Sequence, residues 1–300
     1  MLKKPVPYPF NACRQGVWRH VLAGALAVAL TACASQPYAY TDVAELAQAL
    51  PRYSQSLLGE VHDNAKGHDL RREALADAID AGWRPVIAME QFDREFQAPL
   101  NEALKTCTDA QCVIAAASPA QTQWNWLYYQ PVIELALRHR LPLLAANLSR
   151  SDASRVMKSG LTAVFAPEEL KELGLEHGPD PALLREQVRE VVDGHCGMLP
   201  TELHTGMATA QIARDAMMAL LMRRAAWSGG TARPVPVVLL AGNGHVRRDK
   251  GVPRWLNEFE TLAVGFTEGE APIDMFDRNI VMPPEARPDP CAGLREKFKG

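Results

Sequence analysis

The sequence predicts an α/β fold, a parallel sheet flanked by helices with a smaller helical subdomain. Three observations carry this prediction. Apolar runs of strand length recur along the chain, most of them closing on glycine, asparagine or an acidic residue. Segments with helical spacing of apolar residues separate them, and that alternation is the signature of βαβ units and parallel strands. One long stretch, 150–228, holds helical patterns and no convincing strand.

Residues 42–50 read as a short helix, and Ser56-Leu57-Leu58-Gly59-Glu60 as a buried strand followed by His62-Asp63-Asn64. A helix over 66–81 has Leu70, Leu75, Ala78 and Ile79 at helical spacing. Gly82 ends it, as a residue free to take left-handed backbone does. The second strand is 85–90. A helix over 131–140 opens with proline in its first turn. The third strand is 141–147. The fourth, 234–241, is apolar throughout, as a strand covered on both faces is. The fifth is 261–266. Within 150–228 helical stretches fall at 167–173, 181–193 and 205–227. The sheet domain is thus 42–149 with 229–282, and 150–228 is a helical insertion or cap. Residues 283–300, rich in proline and charge, read as a loose tail.

Ahead of this domain, Lys3, Lys4, Arg14 and Arg19 give a positive start to an apolar run over 21–30. A bilayer span needs about 20 apolar residues, so the run fits the core of a signal peptide instead. It closes on Leu30-Thr31-Ala32-Cys33, which resembles the bacterial lipobox, with cleavage after residue 32 and lipid on Cys33. Ala34 in place of aspartate points, by the usual Gram-negative sorting rule, to the outer membrane. Residues 33–41 read as a tether. The expectation is a protein held outside the cytoplasm by acyl chains, with the membrane as a partner.

The net charge of -3 offers no footprint for nucleic acid. Cys13 leaves with the signal segment and Cys33 takes lipid, so Cys107, Cys112, Cys196 and Cys291 remain, an even number in an oxidising compartment. The 107–112 loop is short enough for a disulfide to close, and Cys196 with Cys291 is available for a second. The connectivity stays open on sequence alone. The spacing matches no common zinc pattern.

Ligands of open parallel sheets gather beyond the carboxyl ends of the strands. Four signatures fall there: Gly59-Glu60-Val61-His62, Met89-Glu90-Gln91, Ala146-Asn147 and Gly242-Asn243-Gly244-His245. Glu60, His62, Glu90 and His245 then share one rim, where they suit a divalent metal or general acid–base work. Singly, each serves as well as a helix cap or loop anchor. A nucleophile elbow, a Walker loop and a dinucleotide fingerprint are absent from the sequence.

The runs LLGEVHDN, VIAMEQF, LPLLAANLS and LLAGNGHVRRDKGVPRWL resemble the ChaN family of haem-binding lipoproteins in the Tiki-like superfamily. The resemblance extends over 56–266, including the stretch around His195 and the helix with Gln211, Arg214 and Asp215. It implies a parallel-sheet domain with a smaller helical domain, non-covalent haem between domains or subunits, and a role in iron acquisition. Some members pair around two stacked haems, so a homodimer is a further expectation, with an outer-membrane haem receptor as partner. Haem needs an axial ligand and cations near its propionates. The candidates are Tyr129 in the cluster of Trp124, Trp126 and Tyr128; His195; His62; His245; and Arg247, with Arg248 beside it. His204 and Met207 are weaker. Met217, Met218 and Met222, at helical spacing, read as core. The superfamily also holds esterases and metal-dependent proteases, so a hydrolase built on Glu60, His62, Glu90 and His245 is the alternative.

Overall fold

The structure is a computed structural model and describes residues 43–119, 124–228, 230, 233–289, 291–292 and 295. The signal segment, Cys33 and the tether lie outside these residues. The described residues form a six-stranded sheet in the order β3-β2-β4-β1-β5-β6, with every pairing parallel. The strands are β1 Gln55–Leu58, β2 Val86–Asp93, β3 Leu143–Asn147, β4 Val237–Leu240, β5 Thr261–Thr267 and β6 Arg278–Val281. Before β1 comes α1 (Val43–Ala49), and α2 (Ala65–Asp80) links β1 to β2. Then α3 (Gln97–Thr106), α4 (Ala110–Ala117) and α5 (Gln130–His139) lead to β3. Between β3 and β4 lie α6 (Arg150–Ser159), α7 (Pro167–Leu173), α8 (Pro181–Gly194) and α9 (Thr201–Ala226), and the short α10 (Asn243–Val246) follows β4. Among the described residues no helix is long and apolar enough to cross a membrane.

Alternation along the strands sends side chains to two cores. Leu58, Met89, Leu240 and Val264 face α1 to α5, whereas Leu57, Ala88, Leu239 and Ala263 face Met218 and Met222 of α9. Met217 points to a third core beneath α6 and α7. The segment 150–228 is therefore helical as its pattern predicts, and its longest helix reaches back to cover one face of the sheet.

Three features depart from expectation. Helices α3 and α4 occupy 97–117, where the pattern gave no element, and Asp109 caps α4 by accepting from the Cys112 N–H at 2.8 Å. β6 adds an edge strand in which only Ile280 is buried, so it leaves no apolar run to detect. The tail expected to be loose is pinned as far as Cys291. The Arg287 guanidinium pairs with both Asp63 and Glu268, and Cys291 is bonded to Cys196. Cys107 and Cys112 form the other disulfide. Gly82, at φ 105°, ends α2, and the following Trp83 N–H reaches back to the Ala78 carbonyl.

The turn after β4 is locked by one side chain. Asn243 Nδ2 donates to the Phe266 carbonyl at 2.5 Å, and the Phe266 N–H donates to Asn243 Oδ1 at 3.0 Å. Asn243 can lie there only because β1 ends in Gly59, where a Cβ would stand 2.1 Å from Asn243 Oδ1 and 3.2 Å from the Val264 carbonyl. Gly59→Ala therefore lowers stability by about 1–3 kcal/mol, the usual range for overpacking. Urea denaturation of the two proteins checks this, and equal midpoints would contradict it.

Candidate functional site

The carboxyl ends of the strands carry a connected set of buried charges. Glu60, just past β1, is 3% exposed. Its Oε1 accepts from the Tyr129 hydroxyl at 2.6 Å and contacts His62 Nδ1 at 2.8 Å, while Oε2 pairs with Arg71 of α2. Burial alone raises a carboxylate pKa, but the Arg71 guanidinium and the His62 hydrogen bond outweigh it and hold Glu60 below the usual range. Arg71 also donates to His68 Nδ1 at 3.0 Å, so His68 presents Nε2–H to the His62 carbonyl at 3.1 Å. His68 stacks on Tyr128 with ring centroids 4.5 Å apart. Burial and the Arg71 charge push its pKa down and keep it neutral.

A second set surrounds Glu90. Its Oε2 accepts from the Gly242 N–H at 2.8 Å, and its Oε1 lies 3.5 Å from His245 Nε2. On the other side of the ring, His245 Nδ1 is 2.5 Å from Asp215 Oδ1 of α9. Burial opposes charge on His245, yet Asp215 and Glu90 push its pKa up to about 10. Burial raises Asp215 to about 6, with His245 pulling the other way. At neutral pH both are charged, and the imidazolium has both ring nitrogens engaged. Gly242 is required between the two sets: a Cβ there would stand 3.0 Å from His62 Nε2. Burial lowers the His62 pKa, but the Glu60 hydrogen bond and the Glu90 charge outweigh it, and the net shift is upward.

Two hollows flank this rim. One, of about 280 Å³, lies between α8, α9 and the turn after β4, and His195, Met207, His245, Arg247 and Lys250 line it. The other, of about 360 Å³, is walled by His62, Asp63, Trp124, Tyr128 and Tyr129. The candidates of the sequence therefore divide. His195, His245 and Arg247 converge on the first hollow, and His62 and Tyr129 border the second.

His195, at the end of α8, directs Nδ1 to the Val191 carbonyl at 2.7 Å, and Nε2 has no hydrogen-bond partner among the described residues. Metal-ligating histidines are commonly oriented by such a bond. Tyr129 is 1% exposed and donates to Glu60, and burial with the Glu60 charge raises its pKa, so the tyrosinate expected for ferric haem is disfavoured. His204 turns Nε2 to the Leu199 carbonyl at 2.9 Å. Arg247 pairs with Asp249 and Glu190. Arg248 is held away from the hollow by Asp277 and the Thr261 carbonyl. Among the described residues no three His, Cys, Asp or Glu side chains are grouped to hold a metal ion.

The sequence reading gave no role to Arg71, His68 or Asp215. Arg71 and His68 share a helix face with Leu75 and Ala78, a position that argues against a solvated charge. Asp215 is a lone acid in the apolar half of α9.

The family model described as haem-binding uptake, Tiki superfamily, ChaN matches residues 46–256. No curated protein matches the chain. Among solved structures, the chain resembles that of cofacial haem binding to ChaN of Campylobacter jejuni. The TM-score is 0.64 at 20% identity, covering 78% of this chain and 89% of that one. An erythromycin esterase mutant in its open conformation is more distant, with TM-score 0.42 and 14% identity over 75% of this chain and 71% of that one. So is a type III effector, at 0.44 and 14% over 80% and 92%.

The His245–Asp215 pair has a measurable signature. NMR titration should find the His245 ring protonated well past neutrality, with a midpoint near 10. Asp215→Asn removes the largest cause of that rise and lowers the midpoint by about 1–3 units. A raised histidine pKa contributes stability that is complete below its ordinary 6.5 and is lost as pH rises through about 10. The denaturation midpoint accordingly falls across that window, and less steeply in the variant. An unshifted His245 titration would contradict the pairing.

Proposed function

The chain belongs to the ChaN family of haem-binding uptake proteins in the Tiki superfamily, and from that membership we propose that haem is held, non-covalently, at the hollow between α8, α9 and the turn after β4. One observation carries this location: two separate segments, the end of α8 and the turn after β4, bring His195, His245 and Arg247 to one hollow. The donor set fits haem. His195 supplies an imidazole nitrogen whose partner nitrogen is already fixed by a backbone carbonyl. Arg247 and Lys250 place cations at the hollow, both paired there with Glu190, that would turn to the propionates on binding. Met207 and Val191 supply apolar wall. Haem would supply an iron for the His195 imidazole to ligate; this chain would orient that imidazole and offer Arg247 and Lys250 to the carboxylates.

The hollow is small for this cargo, since ligand pockets commonly run to roughly 300–1,000 Å³. A hollow of that size would hold only part of the macrocycle, and a second copy of the chain would cover the rest. A haem-handling role at the outer membrane follows from the lipobox-like Cys33, with an outer-membrane haem receptor as the source of cargo. A tethered protein outside the cytoplasm draws on no cytosolic nucleotide, and haem capture needs none.

A second reading has one observation in its favour. His62 and His245 each place Nδ1 on a carboxylate and flank Glu90, an arrangement suited to acid–base hydrolysis. Ester cleavage lost in His62→Ala would support it, and no turnover of simple esters counts against it.

Haemin titration of the full chain tests the leading reading. A shifted Soret band is expected, and His195→Ala weakens binding by about tenfold or more, equivalent to about 1.4 kcal/mol. Unaltered binding in that variant would remove His195 from the site. For the anchor, mass spectrometry of the mature protein should find acyl chains on Cys33, and an unmodified cysteine there would sink that part.

A further inference from the structure

The wall of the hollow contributed by α8 is attached unlike the rest of the molecule. Its buried residues are only Leu183, Gln187 and Val191, and neither apolar one joins the three core clusters. Left-handed glycines stand on either side of the helix: Gly174 and Gly178 before it, Gly197 after it, with Cys196 also at φ 58°. Two fastenings tie this helix to the sheet. Glu190 reaches Lys250 at 2.6 Å and Arg247 at 3.3 Å, and its side chain is 50% exposed, so water weakens the pair. The other is covalent: Cys196, next to His195, is bonded to Cys291.

Cys291 ends a strap that is itself fixed. Met282 is 3% exposed and lies where a Cβ on Gly67 would meet its sulfur at 2.5 Å. Asn64 Nδ2 donates to the Pro283 carbonyl at 3.0 Å, and Arg287 grips Asp63 and Glu268. Cys291 is four positions beyond Arg287 in the sequence, a reach of about 14 Å at most. The strap thus runs from the rim beside His62 to the turn that carries His195.

We propose that α8 is a hinged lid over the hollow and that the Cys196–Cys291 disulfide is its redox-released clasp. The proposal concerns the lid itself; it rests on the haem reading only for the identity of what passes. A dithiol protein reductant supplies the chemistry. One of its thiolates attacks a sulfur of the disulfide, forming a mixed disulfide and expelling the other cysteine as a thiolate, which takes a proton. The reductant's second thiol then closes its own disulfide and frees the remaining cysteine. Two electrons and two protons pass to the pair. Packing of Leu183, Gln187 and Val191 on the α9 side and the exposed Glu190 bridges then hold α8, and the helix hinges along α9 so that the His195 wall moves out to admit a planar ligand larger than the closed hollow.

Hydrogen exchange and haemin association decide the matter, measured on the full chain in detergent. Reduction by dithiothreitol, or the pair Cys196→Ser with Cys291→Ser, should raise exchange over residues 181–200 by about tenfold or more while the strands stay protected. Haemin association should accelerate with it. The pair Cys107→Ser with Cys112→Ser should change neither. Unchanged exchange over 181–200 after verified reduction overturns the lid, as does equal loosening by the control pair. Reduction of the wild-type chain covers the case in which the serine variants fail to fold. If exchange rises but no form of the protein takes up haemin, the clasp stands and the haem reading falls.

Discussion

A carboxylate and a guanidinium, both almost fully out of water, hold the rim of this molecule together. Glu60 and Arg71 join the end of β1 to the body of α2, and Arg71 is 1% exposed. Removing one partner of such a pair strands the other, at a cost of about 3–5 kcal/mol. The remaining oxygen of Glu60 takes the Tyr129 hydroxyl and His62 Nδ1, and Gln91 Nε2 stands at 3.4 Å. One carboxylate therefore orients groups from four parts of the chain. The same demand settles the state of each neighbour. Tyr129 must remain a phenol to satisfy Glu60, and His68 must remain neutral beside Arg71.

That arrangement bears on which histidine is free to bind iron. His245 has a carboxylate on each ring nitrogen and keeps its proton. His62 has one nitrogen on Glu60 and packs against Gly242. His195 alone of the three directs its bound nitrogen to a neutral backbone carbonyl. The rim thus buries its charges around Glu60 and Glu90, with Gly242 between the two sets, while the end of α8 holds His195 by a backbone carbonyl.

How much of this was legible depended on where each residue's partners lie. Strands β1 to β5 show as apolar runs because both faces of the sheet are covered. β6 stays hidden because Arg278, Asn279 and Val281 are not buried. The pattern places a helix over 205–227, but α9 shows no clean apolar stripe, since the sheet lies on one side of it and the α6–α7 core on the other. Glu60, His62, Glu90 and His245 were readable as rim residues because strand ends are readable. Arg71 was not, because a charge beside Arg72 looks solvated until the helix phase is followed. The aromatic run at Trp124–Tyr129 announces a cluster, but nothing local says that Tyr129 serves a carboxylate 69 residues away. The pinned tail likewise depends on Asp63, Glu268 and Cys196, all remote in sequence.

The central claim is that His195, and not Tyr129, meets the iron. Electron paramagnetic resonance with hyperfine resolution on the ferric haem complex of ¹⁵N-histidine-labelled protein tests it most directly. The account predicts coupling from an axial imidazole nitrogen that disappears in His195→Ala and persists in Tyr129→Phe. A phenolate-to-iron charge-transfer band that disappears in Tyr129→Phe, with no such nitrogen coupling, would contradict it.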